Sequence, residues 1–264
     1  MIYLENIHQS YGTKDVLKNI SLSIPEGKIT GIIGPNGAGK TTLFNVISRV
    51  IQSKSGKIHI DGVDISDPKM NLSKQIAVLK QANHFNLKLT SYELISFGRY
   101  PHSKGRLNRE DKNMIDQMIN YLSLSDIKNQ LIDTLSGGQL QRVLLAMVLV
   151  QDTKYIMLDE PLNNLDMKHG VEMMLLLQKF VDELGKTIVV VMHDINIAST
   201  FCEHIIAIKD GEVYFDGPSK DVMVEQTLNG IYDADFCIRE VDGKRICIYH
   251  KLQKDLIENK GEDV

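Results

Sequence analysis

The chain has 264 residues, 43% of them hydrophobic and 24% charged, with a net charge of −4 at pH 7. That suits one large domain or two lobes on a shared core, without the basic excess that nucleic-acid binding requires. Cys202, Cys237 and Cys247 lack C-x-x-C spacing and read as buried thiols in a reducing compartment, not as a disulfide frame or metal site.

The densest apolar run, VLLAMVLV at 143–150, falls well short of the ~20 residues that cross a bilayer. The N-terminus shows no signal-peptide pattern. The expectation is a cytosolic protein that meets a membrane only by docking on another protein.

Residues 1–30 read as strands and turns. KITGII at 28–33 is a short buried strand, and it runs into GPNGAGKTT, which fits G-x-x-x-x-G-K-[ST] at Gly34, Gly39, Lys40 and Thr41. Here Gly34, Gly37 and Gly39 let backbone N–H groups turn inward onto a polyphosphate. Lys40 reaches the outer phosphates, and the Thr41 hydroxyl is placed for Mg²⁺. A helix should follow, because Leu43, Phe44, Ile47, Val50 and Ile51 recur at helical spacing. Its N-terminus adds free N–H groups and a positive dipole end.

KIHIDGVDI at 57–65 alternates and carries an Asp-Gly turn. From 83 to 150 the periodicity is helical, most clearly at 109–124, where Met114, Ile115, Met118, Ile119 and Leu122 share a face. TLSGGQLQR at 134–142 is a second glycine-rich turn, opening a helix over 140–150. Two readings stand: Ser136, Gly137 and Gly138 hold phosphate oxygens by hydroxyl and N–H, or Ser136 is simply an N-cap.

YIMLDE at 155–160 ends an apolar strand on Asp159 and Glu160. Ligands of open α/β sheets sit at that end, so Asp159 is placed to hold Mg²⁺, through water. Glu160, one step further out, is placed to orient and deprotonate an attacking water. A helix at 169–184, a strand at 187–194 and an Asp-Gly hairpin at 204–217 complete the pattern. Apolar strands without alternation predict a parallel sheet with helices on both faces. The expected division is one domain over 1–250, with a core lobe at 1–82 and 151–250, a helical insertion at 83–150 and a polar tail at 251–264. NKGE at 259–262 is a near miss to the guanine-reading N-K-x-D and reads as tail, so ATP is expected rather than GTP.

GPNGAGKTT, LSGGQ and LDEP in this order, with His193 after a strand, resemble the ATP-binding-cassette (ABC) ATPases over nearly the whole chain. The resemblance implies an α/β P-loop NTPase (RecA-like) core with a parallel sheet, an antiparallel β subdomain and an inserted α-helical subdomain. It implies ATP and Mg²⁺, and a head-to-tail homodimer sandwiching two ATP molecules. Gly34, Pro35, Asn36, Gly37, Ala38, Gly39, Lys40, Thr41 and Thr42 of one copy would then face Ser136, Gly137, Gly138 and Gln139 of the other. Position by position, it makes Tyr11 the adenine-stacking aromatic and Gln81 the contact to Mg²⁺ and attacking water. Asp166 belongs to the loop crossing the dimer interface, and His193 is the γ-phosphate contact. Lys80 stands where the family usually has proline, and Asn163 and Asn164 replace its usual small residues.

GRYPH at 98–102 resembles the ATPases of bacterial ferric-siderophore, haem and vitamin B12 importers. It implies membrane permease subunits, an external substrate-binding protein and a place on the cytoplasmic membrane face. Ferric siderophore is the expected cargo, with haem and vitamin B12 as alternatives. Tyr92, Phe97 and Tyr100 are expected to face a permease helix. A soluble cassette ATPase acting on nucleic acid or ribosomes is the contrasting class, which typically carries two cassettes or a long coiled coil.

Overall fold

The computed structural model describes residues 1–80, 88–163 and 165–249. Gln81, Asn164 and the tail at 251–264 lie outside the described residues. The chain divides into two compact units, Met1–Gly62 with the chain from Val191 onward, and Val63–Val190.

The first unit opens with β1 (Ile2–Tyr11) and β2 (Lys14–Ile24), an antiparallel hairpin; β1 also pairs antiparallel with β4 (Ser55–Ile60). Ile2, Leu4 and Ile7 point inward and are fully buried, the half-buried strand pattern. Between β2 and β4 in sequence, but in a different sheet, comes β3 (Ile29–Ile33), buried at every residue. Helix α1 (Lys40–Ile47) follows the glycine-rich loop. The helix stops before Val50 and Ile51, shorter than the sequence predicts. Ser48 Oγ donates to the Phe44 carbonyl at 2.8 Å, which competes with the helical ladder. Arg49 takes a left-handed turn (φ 55°) and Val50 is exposed.

The second unit begins at β5 (Val63–Asp64), after a turn in which Asp61 and Gly62 both have positive φ (51° and 82°). Its strands β6 (Ile76–Leu79), β7 (Tyr155–Asp159) and β8 (Thr187–Val191) lie side by side in that order, β6 and β7 parallel. The helices are α2 (Ser91–Phe97), α3 (Tyr100–Ser103), α4 (Arg109–Tyr121), α5 (Gly137–Val150) and α6 (Met167–Leu184). Capping boxes start three of them, Thr90 with Glu93, Asn108 with Asp111 and Ser136 with Gln139, each satisfying two otherwise orphaned N–H groups.

The GRYPH segment is an architectural clamp. A Cβ on Gly98 would lie 1.9 Å from the Met147 carbonyl oxygen, so only glycine lets α2 meet the α5 backbone. Arg99 donates from Nε to Asp111 Oδ1 and from Nη1 to the Val150 carbonyl, each at 2.8 Å. It thereby ties α4 to the end of α5. His102 Nε2 donates to the Gln151 carbonyl at 2.9 Å. Both members of the Arg99–Asp111 pair are buried. Burial pushes the Asp111 carboxyl up, but the Asn108 amide and the Arg99 guanidinium outweigh it and hold it below the usual range. Phe97 and Tyr100 point the other way and are exposed, at 53% and 62%. Tyr92 is half-buried.

Back in the first unit come α7 (Ile195–Phe201), β9 (His204–Lys209), β10 (Glu212–Pro218), α8 (Ser219–Val222), α9 (Glu225–Tyr232), β11 (Cys237–Val241) and β12 (Lys244–Ile248). β9 lies parallel to β3 and antiparallel to β10. Asp210 and Gly211, at φ 51° and 82°, make the β9–β10 turn, as their sequence predicts. The β11–β12 hairpin is held to α7 by Asn196, which donates to the Cys247 carbonyl at 3.1 Å and accepts from the Cys247 N–H at 2.8 Å. All three cysteines are buried and free. Burial pushes the Cys247 thiol up to about 11 and Cys202 higher still, which keeps both as thiols, not thiolates.

Candidate functional site

Each unit gathers one set of the predicted site residues. In the first, β3 ends in a loop whose glycines are dictated by close contacts. Gly34 has φ 140°, and a Cβ there would lie 2.0 Å from the Ile208 carbonyl oxygen; Gly39 has φ 108°, and a Cβ there would lie 2.9 Å from the Val16 carbonyl oxygen. No other residue fits either place without moving a neighbouring strand. The loop is braced from outside. Gly211 N–H donates to the Ala38 carbonyl at 3.1 Å, and Lys18 N–H to the Gly211 carbonyl at 2.8 Å. Within it, Ala38 N–H reaches the Pro35 carbonyl at 3.2 Å.

Lys40 opens α1 and folds back over this loop. Its Nζ donates to the Gly34 and Pro35 carbonyls at 2.8 and 2.9 Å, with only 5% of the residue exposed. An ammonium fixed over a curl of backbone N–H groups, at the start of a helix, is an anion-binding arrangement. Asn36, Gly37 and Thr41 are exposed on the loop and the first helical turn, with Thr42 half-buried.

Two further predicted residues belong to this set. Tyr11 stands 52% exposed at the end of β1, paired with Lys14, on the hairpin that also supplies Val16 to the back of Gly39. His193 is exposed beyond β8. Met192 N–H donates to the Ile32 carbonyl at 3.0 Å, so His193 leaves the sheet beside the strand that feeds the loop. Asp194 then N-caps α7 through the Asn196 and Ile197 N–H groups, which is why the strand predicted over 187–194 ends at Val191.

The second unit holds the remaining described set. Asp159 is the last residue of β7 and is buried. Glu160 follows at φ 51°, turning its carboxylate out of the strand direction. Asn163 donates from Nδ2 to Glu160 Oε2 at 2.5 Å. Ser136 caps α5: its Oγ accepts from Gln139 N–H at 3.3 Å, and its own N–H donates to Gln139 Oε1 at 2.9 Å. It and Gly137 remain exposed, Gly138 and Gln139 half-buried, so the cap leaves the turn open to a ligand. Asp166 N-caps α6. The His169 backbone N–H and ring hold its carboxyl below the usual range.

Each set offers an oxygen of the kind magnesium takes, a hydroxyl at Thr41 in the first unit and a carboxylate at Asp159 in the second. Sequence reasoning missed His169, Gln141 and the structural part of Arg99. For His169 a signal exists: it lies three residues after an Asp that caps a helix, where the capping partner stands.

A wholly buried strand ending in a braced glycine loop, with a lysine folded over it at a helix start, defines a P-loop nucleotide-binding protein. The chain belongs to the ABC transporter family, whose model matches residues 17–163. It is 50% identical over 251 residues to the petrobactin import ATP-binding protein YclP of Bacillus subtilis (strain 168), covering 94% of this chain and 99% of that one. It is 36% identical over 263 residues to the iron(3+)-hydroxamate import ATP-binding protein FhuC of the same organism, covering 98% and 96%. Among solved structures it resembles the dimeric bacterial ABC transporter cassette MJ0796 at TM-score 0.71 and 34% identity, over 83% of this chain and 99% of that one. Members of this family are ATPases, and this chain is one. No helix among its described residues is long and apolar enough to cross a membrane.

Proposed function

We propose that this chain is the motor subunit of a bacterial importer of ferric siderophores. The observation that carries this is its 50% identity, over nearly its whole length, to a petrobactin import ATP-binding protein. The iron(3+)-hydroxamate relative supports the same class of cargo. Two copies pair head to tail around two ATP molecules on the cytoplasmic face of the membrane, and the cassette MJ0796, itself dimeric, supports the pairing. Membrane permease subunits carry the chelate, delivered by an external binding protein, and nucleic acid has no part. The helical segment at 83–150 presents Phe97, Tyr100 and the edge of Tyr92 to a permease helix.

In this reading the loop from Gly34 to Thr42 cradles the phosphates, Lys40 compensates their outer charge and Tyr11 stacks on adenine. Glu160 accepts the proton of the attacking water. Gln81 and His193 contact the water and the γ-phosphate. Thr41, Asp159 and Gln81 would hold Mg²⁺, which when bound neutralises charge on the phosphate oxygens. Ser136, Gly137, Gly138 and Gln139 reach the nucleotide of the other copy, and Asp166 crosses the interface.

The test is growth of a deletion strain in iron-restricted medium with petrobactin, a ferric hydroxamate or haem as sole iron source, alongside labelled vitamin B12 uptake. Lost growth on a siderophore, restored by the wild-type gene and not by Lys40→Ala, is the expected result. A defect confined to haem or vitamin B12 overturns the siderophore assignment.

A further inference from the structure

The first turn of α5 is fastened to the chain after β7 by two side chains, Gln141 and His169, that have no part in the chemistry above. Gln141 donates from Nε2 to the Pro161 carbonyl at 3.1 Å. A Cβ on Gly138 would stand 2.7 Å from Cδ2, 3.2 Å from Nε2 and 3.3 Å from Cγ of His169, so the imidazole occupies the space a side chain there would need. The ring is held from its other side. His169 Nδ1 lies 2.8 Å from Asp166 Oδ1, and the His169 backbone N–H reaches the same oxygen at 2.9 Å. A carboxylate only accepts, so Nδ1 carries the hydrogen and the ring orientation is fixed. A side chain at Gly138 would therefore have to displace the imidazole, apart from any ligand.

We propose that His169 is a positioning residue that sets the turn at 136–139 against the Asp166 loop, so that the two shift as one piece. The inference rests on the motor reading, in which that turn serves the partner's nucleotide while the segment after β7 carries Glu160 for the chain's own. Packed groups with a fixed hydrogen bond transmit displacement because they do not deform continuously. His169 thereby links the two nucleotides of a dimer through one chain. It touches neither.

The experiment is steady-state ATPase of the full chain for His169→Ala, His169→Asn and His169→Phe, with Lys40→Ala alongside. His169→Ala should lower kcat about ten- to a hundredfold, the scale of a small misplacement. KM for ATP should stay within about twofold, since the phosphate loop lies on the other unit. In a Glu160→Gln background, the same change should weaken the ATP-dependent dimer on gel filtration. His169→Asn, which restores a donor toward Asp166, should recover part of the rate; His169→Phe, which keeps a ring without the donor, should not. Pairing Gly138→Ala with His169→Ala should cost less than the two single losses summed, because the second removes the ring the new methyl meets. An unchanged kcat in His169→Ala, or full recovery in His169→Phe, overturns the proposal. If His169→Ala does not fold, the Asn and Phe variants decide alone. Turnover by Lys40→Ala would instead overturn the motor reading itself; an inactive Lys40→Ala beside a normal His169→Ala overturns only the positioning role.

Discussion

Asn163 holds Glu160 by its side-chain amide, Nδ2 to Oε2 at 2.5 Å, inside a turn closed by the Asn163 N–H to the Glu160 carbonyl at 3.2 Å. That amide is a tether on the carboxylate that follows β7. Removing it with Asn163→Ala should lower kcat about tenfold, the worth of one hydrogen bond to a charged group. Initial-rate kinetics should show KM for ATP unchanged.

Glu160→Gln should separate binding from turnover. The amide keeps the shape and loses the base. The variant should bind ATP, hydrolyse it at least about a hundredfold more slowly and accumulate as a dimer in ATP and Mg²⁺. Light scattering reads the mass directly. Normal hydrolysis would move the base to another group, His193 first.

Lys40→Ala should abolish tight ATP binding. Its Nζ sits over the Gly34 and Pro35 carbonyls, where charge-assisted contacts to phosphate are worth about 1.5–3 kcal/mol each. Titration calorimetry should show at least a tenfold weaker Kd.

Arg99→Ala should be the most destabilising change in the helical segment, by about 3–5 kcal/mol, because it strands a buried carboxylate. Replacing Arg99 and Asp111 together by Met and Leu should cost much less. The sign of the pH dependence follows from the lowered Asp111 carboxyl. Its contribution is complete above the unfolded value of about 3.9 and fades as pH falls through the lower folded value. Urea melts from neutral to acid pH should show the wild type losing more stability than the Met–Leu pair.

Phe97→Glu and Tyr100→Glu should abolish transport in the assembled importer while leaving ATP binding by the isolated subunit intact. Both side chains are exposed and neither belongs to the Arg99 clamp. Uptake assays on membranes, beside nucleotide titration of the soluble subunit, separate the two effects.

Much of this was legible in the sequence. The phosphate loop announces itself because its glycines answer to sterics that no other residue meets, as Gly34 against Ile208 shows. The Asp-Gly pairs at 61–62 and 210–211 encode their own positive φ values, a strictly local matter. The helical stripe over 109–124 is visible in the sequence; the helix ends at Tyr121, and Ile115, Ile119 and the capping Leu122 are the buried members of the stripe. The illegible parts are long-range. Arg99 pairs with a residue twelve positions away and caps a helix 51 positions on, so GRYPH could be seen as a signature without its inward half being seen at all. The early end of α1 turned on the Ser48 hydroxyl and the Arg49 turn, which spacing alone does not weigh. The β11–β12 hairpin, absent from the sequence reading, turns on Asp242 and Gly243 with φ 51° and 74°, another Asp-Gly signal of the readable kind.

The first unit is assembled from both ends of the chain, and this bears on how the protein is made. Synthesis completes β3 and the phosphate loop early, yet the loop's outer supports, the Ile208 carbonyl behind Gly34 and the Gly211 N–H on Ala38, come from β9 and its turn. The whole of the second unit is translated in between. A nascent chain therefore finishes its helical segment before its phosphate loop can take final shape. Nucleotide that assists folding by binding the finished loop does so after the β9–β10 turn has left the ribosome.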